Sequence, residues 1–191
     1  MHVLRPVGFA LLIVVAFSIL ATDGSAQNYL LDQSNDRSVP SFHVRMYPDY
    51  VMGQSFAPEV DEIGFAAFWI SRGNPGLPVE LQVLVREITV RGPILGRSSR
   101  EPVPNMSGGG PIQVTFTPPI RLVPRRNYVL ELLVHGEGGV SLAVLGHDSY
   151  PRGSLIRGGE EALGDAWFRE GLLDLAPVLE TSWGELKSVY R

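Results

Sequence analysis

Ile112-Gln113-Val114-Thr115-Phe116-Thr117 puts every apolar side chain at one parity and every polar one at the other. That period of two is what a half-buried β-strand requires. The same alternation recurs at Tyr128, Leu130, Leu132 and Val134, with Glu131 opposed, and at Val140, Leu142 and Val144. Ile63 to Ile70 is apolar on both faces, Phe65 and Trp69 on one and Phe68 and Ile70 on the other, which predicts a central strand covered on both sides. Between Val79 and Val90 the inward set begins as Val79, Leu81, Val83 and Val85, then passes to Ile88 and Val90 in the opposite phase. A slip of one residue turns every later side chain over, so a β-bulge or bend is expected near Arg86-Glu87.

Gly73-Asn74-Pro75-Gly76, Arg91-Gly92-Pro93, Ser107-Gly108-Gly109-Gly110, Pro118-Pro119 and Glu137-Gly138-Gly139 each separate two strand-like runs. No long helical repeat stands between them. Tyr29-Leu31, Met52-Phe56, Ile63-Ile70, Val79-Val90, Ile112-Thr117, Tyr128-Val134, Val140-Gly146, Ser154-Arg157 and Ala166-Arg169 make about nine expected strands. Two packed antiparallel sheets hold that number, and an all-β jelly-roll-like sandwich over residues 27–171 is the expected architecture. A closed barrel has the same periodicity. Phe116, Leu130, Leu132 and Trp69 are expected to face inward.

Ahead of this region, Arg5 precedes an apolar run from Val7 to Ala21, and Gly24-Ser25-Ala26 follows. The run is shorter than the ~20 residues a membrane-spanning helix needs, and small residues stand where a signal peptidase reads. Residues 1–26 therefore read as a signal peptide, with the exported chain starting at Gln27 and keeping no transmembrane anchor. The chain has no cysteine, which removes disulfides, thiolate metal sites and cysteine nucleophiles. Small exported eukaryotic domains lean on disulfides, so the expected setting is a bacterial surface or extracellular space. A net charge of −4 with scattered basic residues gives no electrostatic footprint for nucleic acid.

Read in order, Gly53-Gln54-Ser55-Phe56, Ile63-Gly64-Phe65, Leu84-Val85-Arg86-Glu87, Gly92-Pro93-Ile94-Leu95-Gly96, Asn127-Tyr128-Val129-Leu130-Glu131-Leu132, Asp148-Ser149-Tyr150-Pro151 and Asp165-Ala166-Trp167-Phe168-Arg169-Glu170 form an ordered set of short motifs. Over about residues 27–171 this set resembles the exported bacterial β-sandwich module found ahead of PEP-CTERM and other choice-of-anchor sorting tails. The resemblance implies a jelly roll similar to carbohydrate-binding and galactose-binding-like domains, and it brings no activity with it. The chain departs from the pattern at Arg125-Arg126, where the family tends to have a Gly-containing turn, and at Arg152, where a small residue is usual.

No catalytic residue is assigned. His43, His135 and His147 are too far apart in sequence for a local metal motif. His147-Asp148 with Ser149 or Ser154 lacks a nucleophile elbow, and adjacent strand residues point to opposite faces. Glu59-Asp61-Glu62 and Glu160-Glu161-Asp165 offer the paired carboxylates of glycoside hydrolysis, or simply solvated turns. Asp32 and Asp36, with Asn35, would meet Asp165 if the first and last strands pair, giving a candidate Ca²⁺ site; the same segment also suits Asx-type turns. Tyr150 and Trp167, bordering loops, are the candidates for stacking on a ligand, with core or loop anchoring as their competing role. Residues 172–191 read as a tail forming a short amphipathic helix, with Trp183, Leu186, Val189 and Tyr190 along one side. The expectation is a secreted non-enzymatic binding or structural module, with glycan or another envelope polymer as its partner. A polysaccharide hydrolase and a purely structural surface protein are the alternatives.

Overall fold

The computed structural model describes residues 28–36, 40–74 and 76–174. The export segment and the expected tail helix lie outside the described residues. Among the described residues, fourteen strands account for the regular structure. In chain order they begin with β1 (Asn28–Ser34), β2 (Phe42–Met46), β3 (Met52–Phe56), β4 (Glu62–Arg72), β5 (Val79–Glu87), β6 (Ile94–Arg97) and β7 (Glu101–Pro102). They continue with β8 (Gly110–Arg121), β9 (Tyr128–Gly136), β10 (Val140–Leu145), β11 (Leu155–Arg157), β12 (Glu160–Ala162), β13 (Asp165–Ala166) and β14 (Phe168–Asp174).

Two antiparallel sheets result, and they pack face to face as a β-sandwich. The first runs β1-β14-β4-β10-β13, with β2 also on β10 and β8 also on β4. The second runs β12-β11-β3-β9-β5-β6, with β7 also on β5. Between them lies the core, and the alternating residues are what fill it. Ile112, Val114 and Phe116 of β8 enter it, as do Leu130 and Leu132 of β9 and Val140, Leu142 and Val144 of β10. β8 turns its polar parity, Gln113 and Thr115, the other way, while the opposite parities of β9 and β10 also carry the buried apolar residues Val129, Ala143 and Leu145.

The predicted phase change in β5 is present. Val79, Leu81, Val83 and Val85 are all in the core, and the β5–β6 register shifts between Val85 and Arg86. Ile88 then leaves the strand with φ 64° and is exposed, while Val90 joins Val129 and Ile156 in a second, smaller apolar cluster on the outer side of the sheet. One inward assignment is corrected. Trp69 shares its parity with Phe65 and Ala67, opposite the core residues Ala66, Phe68 and Ile70, so it lies on the outer face. There it meets Trp167 edge to face with centroids 5.6 Å apart, and its indole N–H donates to the Gly108 carbonyl at 3.2 Å.

All nine expected strands are present, with shifted ends, and the one read over Ala166–Arg169 divides at Trp167 into β13 and β14. The strands absent from the expectation are β2, β6, β7 and β12. Most side chains of β6, β7 and β12 are exposed, so no apolar alternation marked them, and backbone pairing to a neighbour holds them; β2 does alternate, Phe42, Val44 and Met46 against His43 and Arg45, and places Val44 and Met46 in the core. The closing strand β14 pairs with β1 on one side and β4 on the other and runs to Asp174, three residues into the stretch read as the tail.

A candidate ligand-binding face

The pairing of β1 with β14 was the premise of the candidate calcium site, and it holds, but the three aspartates do not converge. Asp165 is fully buried and already saturated. Its Oδ1 accepts from Gln54 Nε2 at 3.0 Å, and its Oδ2 accepts from the backbone N–H groups of Ser149 and Tyr150, each at 2.9 Å. Asp32 accepts from the Glu59 N–H at 2.9 Å, and Asp36 accepts from Arg169 Nε. Among the described residues no three His, Asp or Glu side chains come together in a way that would hold a metal. Asn35 donates to the Ala166 carbonyl at 3.0 Å and accepts from Ser149 Oγ at 2.8 Å, so this end of the sandwich is pinned by a buried polar network.

The stacking assignment is corrected too, because Tyr150 and Trp167 are each only 4% exposed. Tyr150 meets Phe168 edge-on at 5.0 Å and its hydroxyl donates to Gln33 Oε1 at 3.3 Å; burial pushes its pKa up. Trp167 is sandwiched between Trp69 and the Arg169 guanidinium, 5.1 Å from its ring centroid. Both are anchors of the fold. Beside Tyr150 lies a group the sequence reading passed over. Glu170 follows Phe168 at the same parity and is fully buried, beside the Asp32 carboxylate and the Gln33 backbone. Burial first, then the neighbouring charge of Asp32, pushes its pKa up to about 9, so it is protonated at neutral pH.

Exposed aromatics occur elsewhere, on the outer face of the sheet that contains β9. Tyr47 and Tyr50, 49% and 36% exposed, stand in the turn between β2 and β3. The Tyr50 N–H donates to the Tyr47 carbonyl at 3.1 Å, and Asp49 between them takes φ 67°. Arg45 fixes Tyr47, donating to its hydroxyl at 3.2 Å with the guanidinium 6.0 Å from the ring centroid. This turn and the outward residues Glu131, Leu133 and His135 of β9 line a cleft of about 490 Å³. His135 pairs with Gln82 Oε1 at 3.1 Å, and its pKa is lowered by burial and by Arg100, with Glu80 opposing. It therefore faces the cleft as a neutral ring. Glu131 is held by Arg86.

Two further clefts continue along the same face. The middle one, about 430 Å³, is floored by the apolar cluster of Val90, Val129 and Ile156, against which Val51 of the tyrosine cleft packs. It shares Ser55 and Glu161 with the third, about 560 Å³, which is lined also by Glu59, Arg125, Asn127 and Arg152. Gly153 lets the Arg152 turn lie against β3, since a Cβ there would overlap the Ser55 carbonyl oxygen. In this cleft Glu59 Oε2 accepts from Arg125 Nε at 3.1 Å, and Glu59 Oε1 accepts from Arg152 Nη1. The hydrogen bonds from the two guanidiniums hold Glu59 below the usual carboxylate range. Arg125 takes φ 65°, a left-handed conformation costing a non-glycine residue about 1 kcal/mol or more.

The two acidic clusters thus contribute one carboxylate each, Glu59 and Glu161, to a single cleft. The two guanidiniums favour the ionised form of Glu59, which suits the nucleophile or base of a glycosidase pair and not its general acid. Of the hydrolytic trio, the Ser149 hydroxyl donates to Asn35 Oδ1 at 2.8 Å, and the contacts between Ser154 and Ser55 run through the Ser154 backbone N–H and carbonyl. The sequence did not point to the tyrosine cleft, because Tyr47 and Tyr50 sit in a turn with no alternation; the turn residues Pro48-Asp49 between two tyrosines were its only trace. Comparison with protein-family models, with curated proteins and with solved structures gives no match to this chain.

Proposed function

We propose that this chain is an exported, non-enzymatic binding module, a jelly-roll-like sandwich that holds a glycan or another envelope polymer on the outer face of β3, β9 and β11. One observation carries the reading: Tyr47 and Tyr50 present exposed rings beside a cleft that also offers a neutral histidine and carboxylates. Flat apolar rings next to hydrogen-bonding groups are what a sugar, with its apolar ring face and hydroxyl edge, demands. The run of adjoining clefts suits a chain ligand; the outward residues from Asn127 to His135 span about 26 Å at a strand's rise per residue. Export rests on Arg5, the Val7–Ala21 run and Gly24-Ser25-Ala26. The β-sandwich resembling PEP-CTERM-associated modules fits the same placement.

A glycan-array screen of the exported chain tests this directly. Binding to at least one polymer is expected, and Tyr47→Ala and Tyr50→Ala should each weaken it about tenfold. Retention of full affinity in the double variant would remove the tyrosine face from the reading. The hydrolase reading has one observation in its favour, the shared cleft of Glu59 and Glu161, and release of sugar that Glu161→Gln abolishes would establish it instead. Absence of any binding would leave a structural surface protein.

A further inference from the structure

Two arginines meet at one carboxylate in the third cleft, and the fold does not account for them. Arg125 is held in a backbone conformation that glycine adopts freely, yet its side chain is 82% exposed and buries nothing. Arg152 approaches from the 151–154 turn and is 47% exposed. Ion pairs this open to water return little stability, and they exchange partners readily. What the arrangement achieves is geometric: two guanidiniums aim donors at one point, and the Glu59 carboxylate marks where a carboxylate sits between them.

We infer that Arg125 and Arg152 form a carboxylate-recognition subsite for an acidic sugar polymer, a polyuronate, whose carboxylate takes the place at the two guanidiniums that Glu59 fills. The inference rests on the proposed reading of this face as a polymer-binding surface and names the class of polymer. The Asn127 side chain lies in the same cleft and can serve the sugar's hydroxyls. Glu161 lines the cleft too, and its like charge disfavours a dianionic group such as phosphate over a singly charged carboxylate. The tyrosine cleft lies farther along the same strand, so one chain ligand meets the aromatic and the cationic ends together.

The test compares an oligogalacturonate with its methyl ester by titration calorimetry on the exported chain, since esterification removes the charge and keeps the shape. The wild type should bind the acid about tenfold tighter than the ester, and added salt should narrow the gap. Arg125→Gly, which suits the local φ, and Arg152→Gln should each erase the preference while leaving ester binding intact; unchanged melting temperatures show that both fold. Glu59→Gln should tighten binding of the acid, because the internal competitor is gone. Equal binding of acid and ester by the wild type, or a preference surviving in the double arginine variant, overturns the inference. Binding of a neutral glycan at the tyrosines with no binding of either galacturonate form overturns it as well and leaves the proposed function standing. A stronger preference for a sulfated polymer overturns the choice of carboxylate, and binding of no polymer overturns both readings.

Discussion

Glu170 and Arg125 are each placed against local preference, one a buried carboxyl set beside the Asp32 carboxylate and the Gln33 backbone instead of a cation, and the other left-handed without being glycine. For Glu170 the consequence is a pH dependence of stability. Its folded pKa of about 9 lies above the ordinary carboxylate value of 4.5, so between these pH values the folded protein keeps a proton that the unfolded chain has released. The folded state binds more protons than the unfolded one throughout that window, and stability must therefore fall as pH rises across it. Glu170→Gln keeps the shape without the ionisation. Urea midpoints measured from about pH 5 to pH 9 should decline in the wild type and stay flatter in the variant, which should be at least as stable at the alkaline end. A wild-type midpoint that rises over this range would show the carboxyl to be ionised in the fold. Parity alone pointed at this residue, since Glu170 stands two positions after the core residue Phe168 on one strand, but the sequence could not say that its neighbour would be another carboxylate, Asp32, instead of a cation.

The strands follow from the sequence to the extent that they bury one face. Leu132 and Thr115 make the test at this scale. Leu132 is 1% exposed in the core, whereas Thr115 lies on the opposite parity of β8 with its hydroxyl 3.3 Å from Ser99 Oγ. Leu132→Ala should lower stability by about 2–5 kcal/mol in denaturant titrations and Thr115→Ala by about 1 kcal/mol or less. Similar small losses at both positions would place the register one residue away. The strands that went unread, such as Ile94–Arg97 and Glu160–Ala162, are held by backbone bonds to a neighbour, an interaction that leaves no mark on side-chain patterning. Trp69 shows the same limit from the other side. Its parity was legible, but whether that parity met the core or the outer face depended on which sheet packed over it.

For the molecule as a whole, the first and last described strands pair and close one sheet, while the outer face of the other carries the clefts. Export is the remaining prediction at this scale: mass spectrometry of the secreted protein should find Gln27, cyclised or not, at the N-terminus, and an intact Met1 in the membrane fraction would contradict it. Sequence by itself determined the strand periods, the phase change in β5 and the all-β class, because the two-residue repeat of a pleated strand is a local property of the chain. Only the tertiary structure decided the rest. Asp32, Asp36 and Asp165 were separated into three different hydrogen-bonded settings, and Tyr150 and Trp167 were taken inside. Glu59, Arg125, Arg152 and Glu161 were brought from four segments to one cleft. A residue's neighbours across a sandwich are set by register, sheet order and turn placement, and these are fixed by packing over the whole molecule and not by any stretch of sequence.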